Sequence, residues 1–243
     1  MIGDTRINTQ SQLWCVYCGV AFMATFFFGW VLVARFLPPL DPAMPAAQVA
    51  ALFDERSVAI RLGMFICMWS CLFQMPFLAV IVGQIARIEG DNPRVWTYTA
   101  LMAAAGNILS FTIPLMFWNV AAFRADRAPE LVVLMNDMAW LPFTGMAVPF
   151  IAMPPCVAIA SFIDRAKNPI FPRWYGYYSI ATTVVILPAG LVPFFQSGWF
   201  AWNNAFGWWV PFADFFGWFT ITVWLLRKGI LAQAAEAVER AAA

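Results

Sequence analysis

One acidic residue, Asp214, lies in an aromatic stretch near the end of the chain and is the side chain best suited to do chemistry. Its neighbours Phe212, Phe215 and Trp218 indicate apolar surroundings, in which an unpaired carboxylate costs several kcal/mol. Arg61 is predicted at a comparable depth and can supply a partner. The carboxylate either couples a proton or a substrate, or forms a structural ion pair. The structural interpretation is the default, because Asp214 lies only about two turns below the predicted outer surface.

Amide side chains form a second polar set, most of which is predicted in the outer half of the apolar segments. Hydrogen bonds between helices are the default explanation, at about 0.6 kcal/mol each. An outward-open vestibule is the alternative, because prolines within these segments free backbone carbonyls that can face a cavity. The set consists of seven amides and the acid Asp137. Its members are Gln74, Asn107, Asn119, Asn136, Asp137, Gln196, Asn203 and Asn204.

Tryptophans collect at both ends of the apolar segments, where such residues typically anchor a bundle as aromatic belts. The outer group is Trp118, Trp140, Trp199, Trp202, Trp208 and Trp209, and the inner group is Trp14, Trp96, Trp174 and Trp224. The stretch 194–218 has more aromatic residues than anchoring requires, which is also typical of a site for an apolar or sterol-like ligand with one polar end. The candidate ligand-binding residues are Arg61, Asn107, Trp202, Asn203, Asn204, Trp209 and Asp214.

Five cysteines raise the question of thiol chemistry. Cys15 and Cys18 form a CxxC pair behind a tryptophan, a pattern that thiol–disulfide enzymes use at a helix start. A membrane thiol oxidase needs a second pair as a relay. Cys67 and Cys71 are spaced differently and Cys156 stands alone, so all five are interpreted as small buried residues at helix contacts.

Several classes of site lack the residues that they need. The chain has no histidine, which removes the commonest general base and transition-metal ligand, and we expect no metal and no cofactor. No Gly-rich phosphate loop or serine triad occurs, and no lysine is predicted at mid-membrane for a retinal Schiff base. A net charge of +1 argues against nucleic acid. These absences favour a protein that is not an enzyme.

The elements that must position these residues are membrane helices. Of the 243 residues 63% are hydrophobic and 11% charged, and the mean hydropathy is +0.73. Apolar stretches of about 20 residues recur, the length that crosses a hydrocarbon core of about 30 Å. We therefore expect an all-α integral membrane bundle that forms a single domain over residues 1–243. The predicted spans are Leu13–Leu37, Val58–Ile85, Val95–Val120, Trp140–Ile163, Trp174–Phe195 and Gly207–Leu226.

The basic residues predict the orientation of the bundle. Six spans put nine of the 14 lysines and arginines on the side of the termini and five on the other. The positive-inside rule then places both termini in the cytoplasm, with residues 1–12 as the N-terminal segment and residues 229–243 as a helical tail. The expected location is a bacterial inner membrane.

Two outward connections have an unusual pattern. Ala46–Arg56 and Ala128–Asp137 are proline-started and amphipathic, and each predicts a short helix on the membrane surface. The two segments align with each other at a constant offset. A third connection, at Asn203-Asn204, shows a weaker similarity to them. Either the chain contains an internal repeat of three hairpins, or apolar sequences match by composition alone.

Three runs resemble a widespread group of uncharacterised bacterial polytopic membrane proteins. They are Leu134–Trp140, Phe171–Tyr177 and Gly198–Asn203, and the resemblance covers roughly the C-terminal half of the chain. It implies a helical bundle in a bacterial inner membrane, and it brings no activity and no site residues.

Two functions remain open. One is a membrane protein that binds or moves a small, largely apolar molecule through an outward-facing aromatic vestibule, in which Asn107, Asn203, Asn204 and Asp214 face inward together. The other is an accessory subunit of a larger membrane complex, which predicts a stripe of small residues on one outer face. A quinone-linked thiol oxidoreductase is a distant third. The expected partners are membrane lipid and, depending on the function, a small apolar ligand or other membrane subunits.

Overall fold

The computed structural model describes residues 2–91, 93–145 and 148–242, with side chains from residue 8 to residue 240 within these ranges. The described residues form helices and no strand. The α-helices are α1 (Ile2–Phe27), α2 (Ala46–Glu55), α3 (Ser57–Glu89), α4 (Val95–Ala121), α5 (Pro129–Trp140), α6 (Val148–Ile163), α7 (Arg173–Ile186) and α8 (Val210–Ala242).

Six stretches are long and apolar enough to cross a membrane, which confirms the predicted bundle of six membrane helices. They are Asn8–Val33, Ser57–Glu89, Val95–Ala121, Pro129–Ile163, Arg173–Phe194 and Ala205–Arg240. An even number of crossings puts both ends of the described chain at one end of the bundle, which we call the terminal face. The other end, where α2 and α5 lie, is the connection face.

Four of the six stretches contain irregular turns toward the connection face. π-Helical segments occupy Phe28–Val33, Leu141–Gly145 and Ala205–Trp209, and a 3-10 helix occupies Leu187–Phe194. Pro142, Pro188 and Pro193 lie in or next to these turns and lack the N–H that a regular helix needs. The regular hydrogen-bond ladder is therefore broken at one depth of the bundle.

Helices are present at both positions predicted for surface helices, as α2 and α5, and they pack against each other. The second differs from the prediction, because α5 continues through Leu141–Gly145 toward α6 instead of ending before a span that starts at Trp140. The third connection, residues 195–204, contains turns and bends instead of an α-helix, so the internal repeat stays a prediction.

The ends of the chain continue the first and last spans. α1 already begins at Ile2, and α8 runs without a break to Ala242, so the predicted C-terminal tail extends the sixth span. The sequence from Leu231 onward is rich in alanine, a strong helix former, which explains the absence of a break. Met1 and Ala243 of the predicted tails, and Met146 and Ala147 of the fourth span, lie outside the described residues.

A close helix contact joins the connection-face half of the first span to α3. A Cβ atom built on Gly63 would lie 2.6 Å from Cβ of Ala34 and 2.6 Å from the carbonyl oxygen of Gly29. A Cβ atom built on Gly29 would lie 2.8 Å from Sγ of Cys67. Small residues allow membrane helices to approach in this way. The contact places Trp30, the residue after Gly29, in the core.

At the terminal face, Glu89 joins α3 to α4. Its Oε1 accepts the backbone N–H of Trp96 at 3.1 Å, and its Oε2 accepts the backbone N–H of Thr97 at 2.7 Å. A carboxylate at this position satisfies free donors at a helix N-terminus and interacts favourably with the helix dipole. Glu89, the last residue of α3, therefore fixes the start of α4.

Candidate functional site

Five tryptophans form a buried cluster, which we call the tryptophan cluster: Trp30, Trp118, Trp140, Trp202 and Trp208. The ring centroids of Trp30 and Trp118, and those of Trp118 and Trp140, are 5.0 Å apart. Trp140 also lies 5.4 Å from Trp208 and 6.1 Å from Trp202. These spacings are typical of favourable aromatic pairs. The cluster joins the first span, α4, α5 and the third connection.

The tryptophan cluster corrects the prediction of an outer aromatic belt. Trp118, Trp140, Trp202 and Trp208 are each at most 5% exposed, so they belong to the core. The belt prediction holds for the exposed rings of Trp199 and Trp209 on the connection face. It also holds at the terminal face, where the exposed rings are Trp14, Trp96, Trp174 and Trp224.

Two of the five indole N–H groups in the cluster are satisfied by the protein. Nε1 of Trp118 donates to Oδ1 of Asn136 at 3.1 Å, and Nε1 of Trp202 donates to the carbonyl oxygen of Leu40 at 2.8 Å. The Nε1 groups of Trp30, Trp140 and Trp208 have no hydrogen-bond partner among the described residues. Buried indoles usually find a partner, so these three N–H groups depart from the common pattern.

A cavity of about 90 Å³, the aromatic cavity, lies beside the tryptophan cluster. Most of its wall is apolar, and its polar side chains are Asn107, Ser110 and Thr144. Its rings are Phe26, Phe111, Phe143, Phe150, Trp208, Phe212, Phe215 and Phe216. Ligand sites in proteins typically combine such an apolar lining with a few polar groups.

The irregular turns supply part of the cavity wall. Phe143 and Thr144 come from the π-helical segment after α5, Ala189 from the 3-10 helix, and Gly207 and Trp208 from the π-helical segment before α8. Non-helical backbone at membrane depth is tolerated where it is buried in protein or lines a cavity. Single π-helical turns also occur frequently at functional sites.

Asn107 is a polar side chain of the cavity wall whose amide group lacks a partner. It is 3% exposed, and its Nδ2 is buried without a hydrogen bond to the described residues. The other two polar residues are satisfied locally, because Ser110 donates to the carbonyl of Gly106 and Thr144 to that of Trp140. A buried unpaired amide costs about 1–3 kcal/mol. The residues that line the cavity therefore include two groups without a partner among the described residues, the Asn107 amide and the indole N–H of Trp208, in an aromatic wall.

Asp214 lies at the contact between α7 and α8 and does not line the aromatic cavity. Its Oδ1 accepts long hydrogen bonds from the hydroxyls of Thr182 at 3.4 Å and Tyr178 at 3.5 Å. No lysine or arginine nitrogen of the described residues lies within 4 Å of its carboxylate. The predicted partner, Arg61, instead donates from Nε to the carbonyl oxygen of Ser57 at 3.3 Å.

The other predicted site residues are divided between surface and core. Nδ2 of Asn204 donates to Oδ1 of Asn203 at 3.1 Å on the exposed third connection. Trp209 is 43% exposed, whereas Trp202 belongs to the tryptophan cluster. Of the seven candidates, the structure places only Asn107 in the wall of the aromatic cavity. Sequence reasoning missed Phe143 and Thr144, although the adjacent Pro142 marks a break that could have indicated them.

The cysteines occupy structural positions. Cys67, Cys71 and Cys156 are buried, and their thiols donate to backbone carbonyl oxygens at 3.2–3.5 Å. Cys15 and Cys18 lie well inside α1, with Cys15 roughly three and a half turns from its first residue, so a helix N-terminus does not act on them. Disulfide chemistry of the CxxC type lacks its usual setting here.

Comparisons with known proteins assign no relative to this chain: no family model matches it, and no curated protein or solved structure is significantly similar to it. What the protein does is therefore inferred from its own geometry. The aromatic cavity and its unpaired Asn107 amide are the features that distinguish it from a fully packed membrane bundle.

Proposed function

We propose that this polytopic membrane protein binds a small, largely apolar molecule with one polar group in the aromatic cavity. The observation that carries the proposal is Asn107, whose buried amide has no protein partner while the rest of the wall is almost entirely apolar. A hydrogen bond from the amide to the ligand would remove the penalty of about 1–3 kcal/mol for the unpaired group.

Water is a poorer occupant of this cavity. A buried water typically makes about three hydrogen bonds, and it needs at least two polar partners. The hydroxyls of Ser110 and Thr144 already donate to backbone carbonyls, so the donors left for it are the Asn107 amide and the indole N–H of Trp208, in a wall that is otherwise mostly aromatic. The aromatic rings instead favour an apolar ligand, at about 25 cal/mol for each Å² of apolar surface that it buries.

Movement of the ligand through the bundle is part of the same proposal. Leu141–Gly145, Leu187–Phe194 and Ala205–Trp209 each contribute to the cavity wall, and each replaces regular helix. Discontinuous helices near the bilayer midplane form the substrate sites of many transporters. Their rearrangement would open the cavity toward the connection face.

We further propose a bacterial inner membrane and a cytoplasmic terminal face, supported by the nine-to-five distribution of basic residues. A matched pair of cysteines tests the orientation in a chain whose partly exposed Cys15 and Cys18 are replaced by serine. Asp126→Cys, on the connection face, should react with an impermeant maleimide in intact cells. Lys167→Cys, on the terminal face, should react only after permeabilisation. The reverse pattern would invert the orientation.

Native mass spectrometry of protein extracted gently from its own membrane tests the ligand. Asn107→Leu removes the free amide at similar size, and Gln74→Met is the matched control. Gln74 is fully buried with an unpaired amide but does not line the aromatic cavity. Both variants should keep or raise stability, because an unpaired buried amide is replaced by an apolar group.

Only Asn107→Leu should lose the retained small molecule. Its occupancy at limiting ligand should fall about tenfold or more, which corresponds to a loss of about 1.4 kcal/mol in binding free energy. Retention of the same molecule by all three proteins would contradict the proposed role of the amide. Wild-type protein that carries no small molecule and co-purifies with other membrane subunits would identify an accessory component instead.

A further inference from the structure

A second opening lies at the terminal face, in a cleft of about 570 Å³ between α1, α3 and α8, which we call the terminal cleft. It shares no residue with the aromatic cavity and is independent of the proposed function. Its rim is polar and includes Gln12, Gln84, Arg87 and Gln233. No Asp or Glu side chain lines it in the described part of the chain.

A chain of hydrogen bonds joins the three helices at this rim. Nε2 of Gln84 donates to Oε1 of Gln12 at 2.7 Å. Oε1 of Gln84 accepts from Nε of Arg87 at 2.9 Å and from Nε2 of Gln233 at 3.2 Å. Gln84 is 3% exposed, so the centre of this network is buried. The network holds Nε of the Arg87 guanidinium group in place.

The outer part of that guanidinium group is free. The two Nη groups of Arg87 make no hydrogen bond with the described residues, and no carboxylate of those residues lies within 4 Å of them. Arginine presents its donors as a rigid planar fork that matches the oxygens of a phosphate group. A positioned cation with free donors, in a cleft whose described lining residues include no acid, favours an anionic ligand.

Below Arg87 the wall of the terminal cleft becomes small and apolar. Pro76, Ala79, Val80 and Gly83 line it along α3. The distance from Pro76 to Arg87 along the helix is about 16 Å, close to half of a hydrocarbon core about 30 Å thick. A Cβ atom built on Gly83 would meet nothing within 4 Å, so this part of the cleft is open.

We propose that the terminal cleft binds one anionic phospholipid, with its phosphodiester on the Nη groups of Arg87 and an acyl chain along Ala79 and Gly83. The combination of a basic polar rim and an apolar groove of acyl-chain length distinguishes a lipid from a soluble phosphate. Basic pockets between membrane helices are known to take such headgroups.

Native mass spectrometry of the detergent-solubilised full chain, titrated with phosphatidylglycerol or phosphatidylcholine, tests the site. Arg87→Gln removes the charge. Gly83→Leu fills the groove at a position with open space and leaves the charge in place. Arg94→Gln is the matched control, since Arg94 is exposed at the same face and also bonds a protein oxygen through Nε.

Phosphatidylglycerol affinity should fall about fivefold in Arg87→Gln, the effect of one basic residue near an anionic lipid. It should fall at least as much in Gly83→Leu and stay within twofold of wild type in Arg94→Gln. Equal losses of affinity in the two arginine variants would mean that the anionic lipid is attracted by basic residues in general, and would overturn the proposal. Unchanged affinity in Gly83→Leu, or full displacement of the lipid by soluble glycerol phosphate, would overturn it in favour of a free-anion site.

Discussion

The indole N–H of Trp118 donates to the side-chain oxygen of Asn136 across the contact between α4 and α5, at 3.1 Å and out of contact with solvent. The bond joins α5, at the connection-face end of the fourth membrane stretch, to α4 of the third. It lies just before the irregular turn that carries Phe143 and Thr144 into the cavity wall. This single polar contact therefore links the tryptophan cluster to the geometry of the aromatic cavity.

Asn136→Leu should lower the free energy of unfolding by about 1–3 kcal/mol, because the indole N–H of Trp118 would remain buried without a partner. Denaturant unfolding in detergent micelles measures the change. Trp118→Phe and the double variant complete a mutant cycle. If the two single effects simply add, the hydrogen bond does not stabilise the contact.

Gly63→Ala should destabilise the protein by about 1–3 kcal/mol, since its new methyl group would meet Ala34 and the backbone of Gly29. Gly83→Ala is the matched control in the same helix, where an added Cβ meets only open space. It should raise stability by about 0.5–1 kcal/mol through helix propensity. Thermal unfolding of both variants gives the comparison. The same sign of change in both would contradict the close approach of the connection-face half of the first span to α3.

Glu89→Gln should lower stability by about 0.5–2 kcal/mol, because a neutral amide caps the N-terminus of α4 less well than a carboxylate. Hydrogen exchange of the backbone amides of Trp96 and Thr97 should accelerate as well, since both donate to Glu89. Glu55→Gln, at an exposed helix C-terminus, is the control and should leave both measurements near wild type. Unchanged exchange in Glu89→Gln would argue against the cap.

Asp214→Asn and Arg61→Gln should change stability additively, to within about 0.5 kcal/mol, because the two side chains have different partners. Asp214→Asn and Tyr178→Phe should instead show a coupling of at least about 0.5 kcal/mol. Stability in detergent measures both cycles. Asp214→Asn should also retain the bound small molecule, in contrast to Asn107→Leu, since Asp214 does not line the aromatic cavity. A coupling energy between Asp214 and Arg61 would instead support the predicted ion pair.

Local sequence patterns were sufficient for much of the fold. Apolar length alone determines six spans, because a helix must bury about 20 apolar residues to cross a bilayer. The amphipathic, proline-started segment at Ala46 determines α2 for a similar reason. Trp14 and Trp224 are exposed, as a position in the predicted belt requires, since the side chains at that end of the bundle do not cover them.

Only the tertiary structure decided what lies inside the bundle. Trp140 and Trp199 have the same residue type and lie toward the same membrane interface, but neighbouring segments cover the ring of Trp140 and leave that of Trp199 exposed. Burial of an indole ring depends on which helix packs against it. The hydropathy of one segment does not indicate which other segments pack against it. The aromatic cavity brings together side chains from five membrane spans, so its unpaired Asn107 amide becomes visible only when those spans are packed.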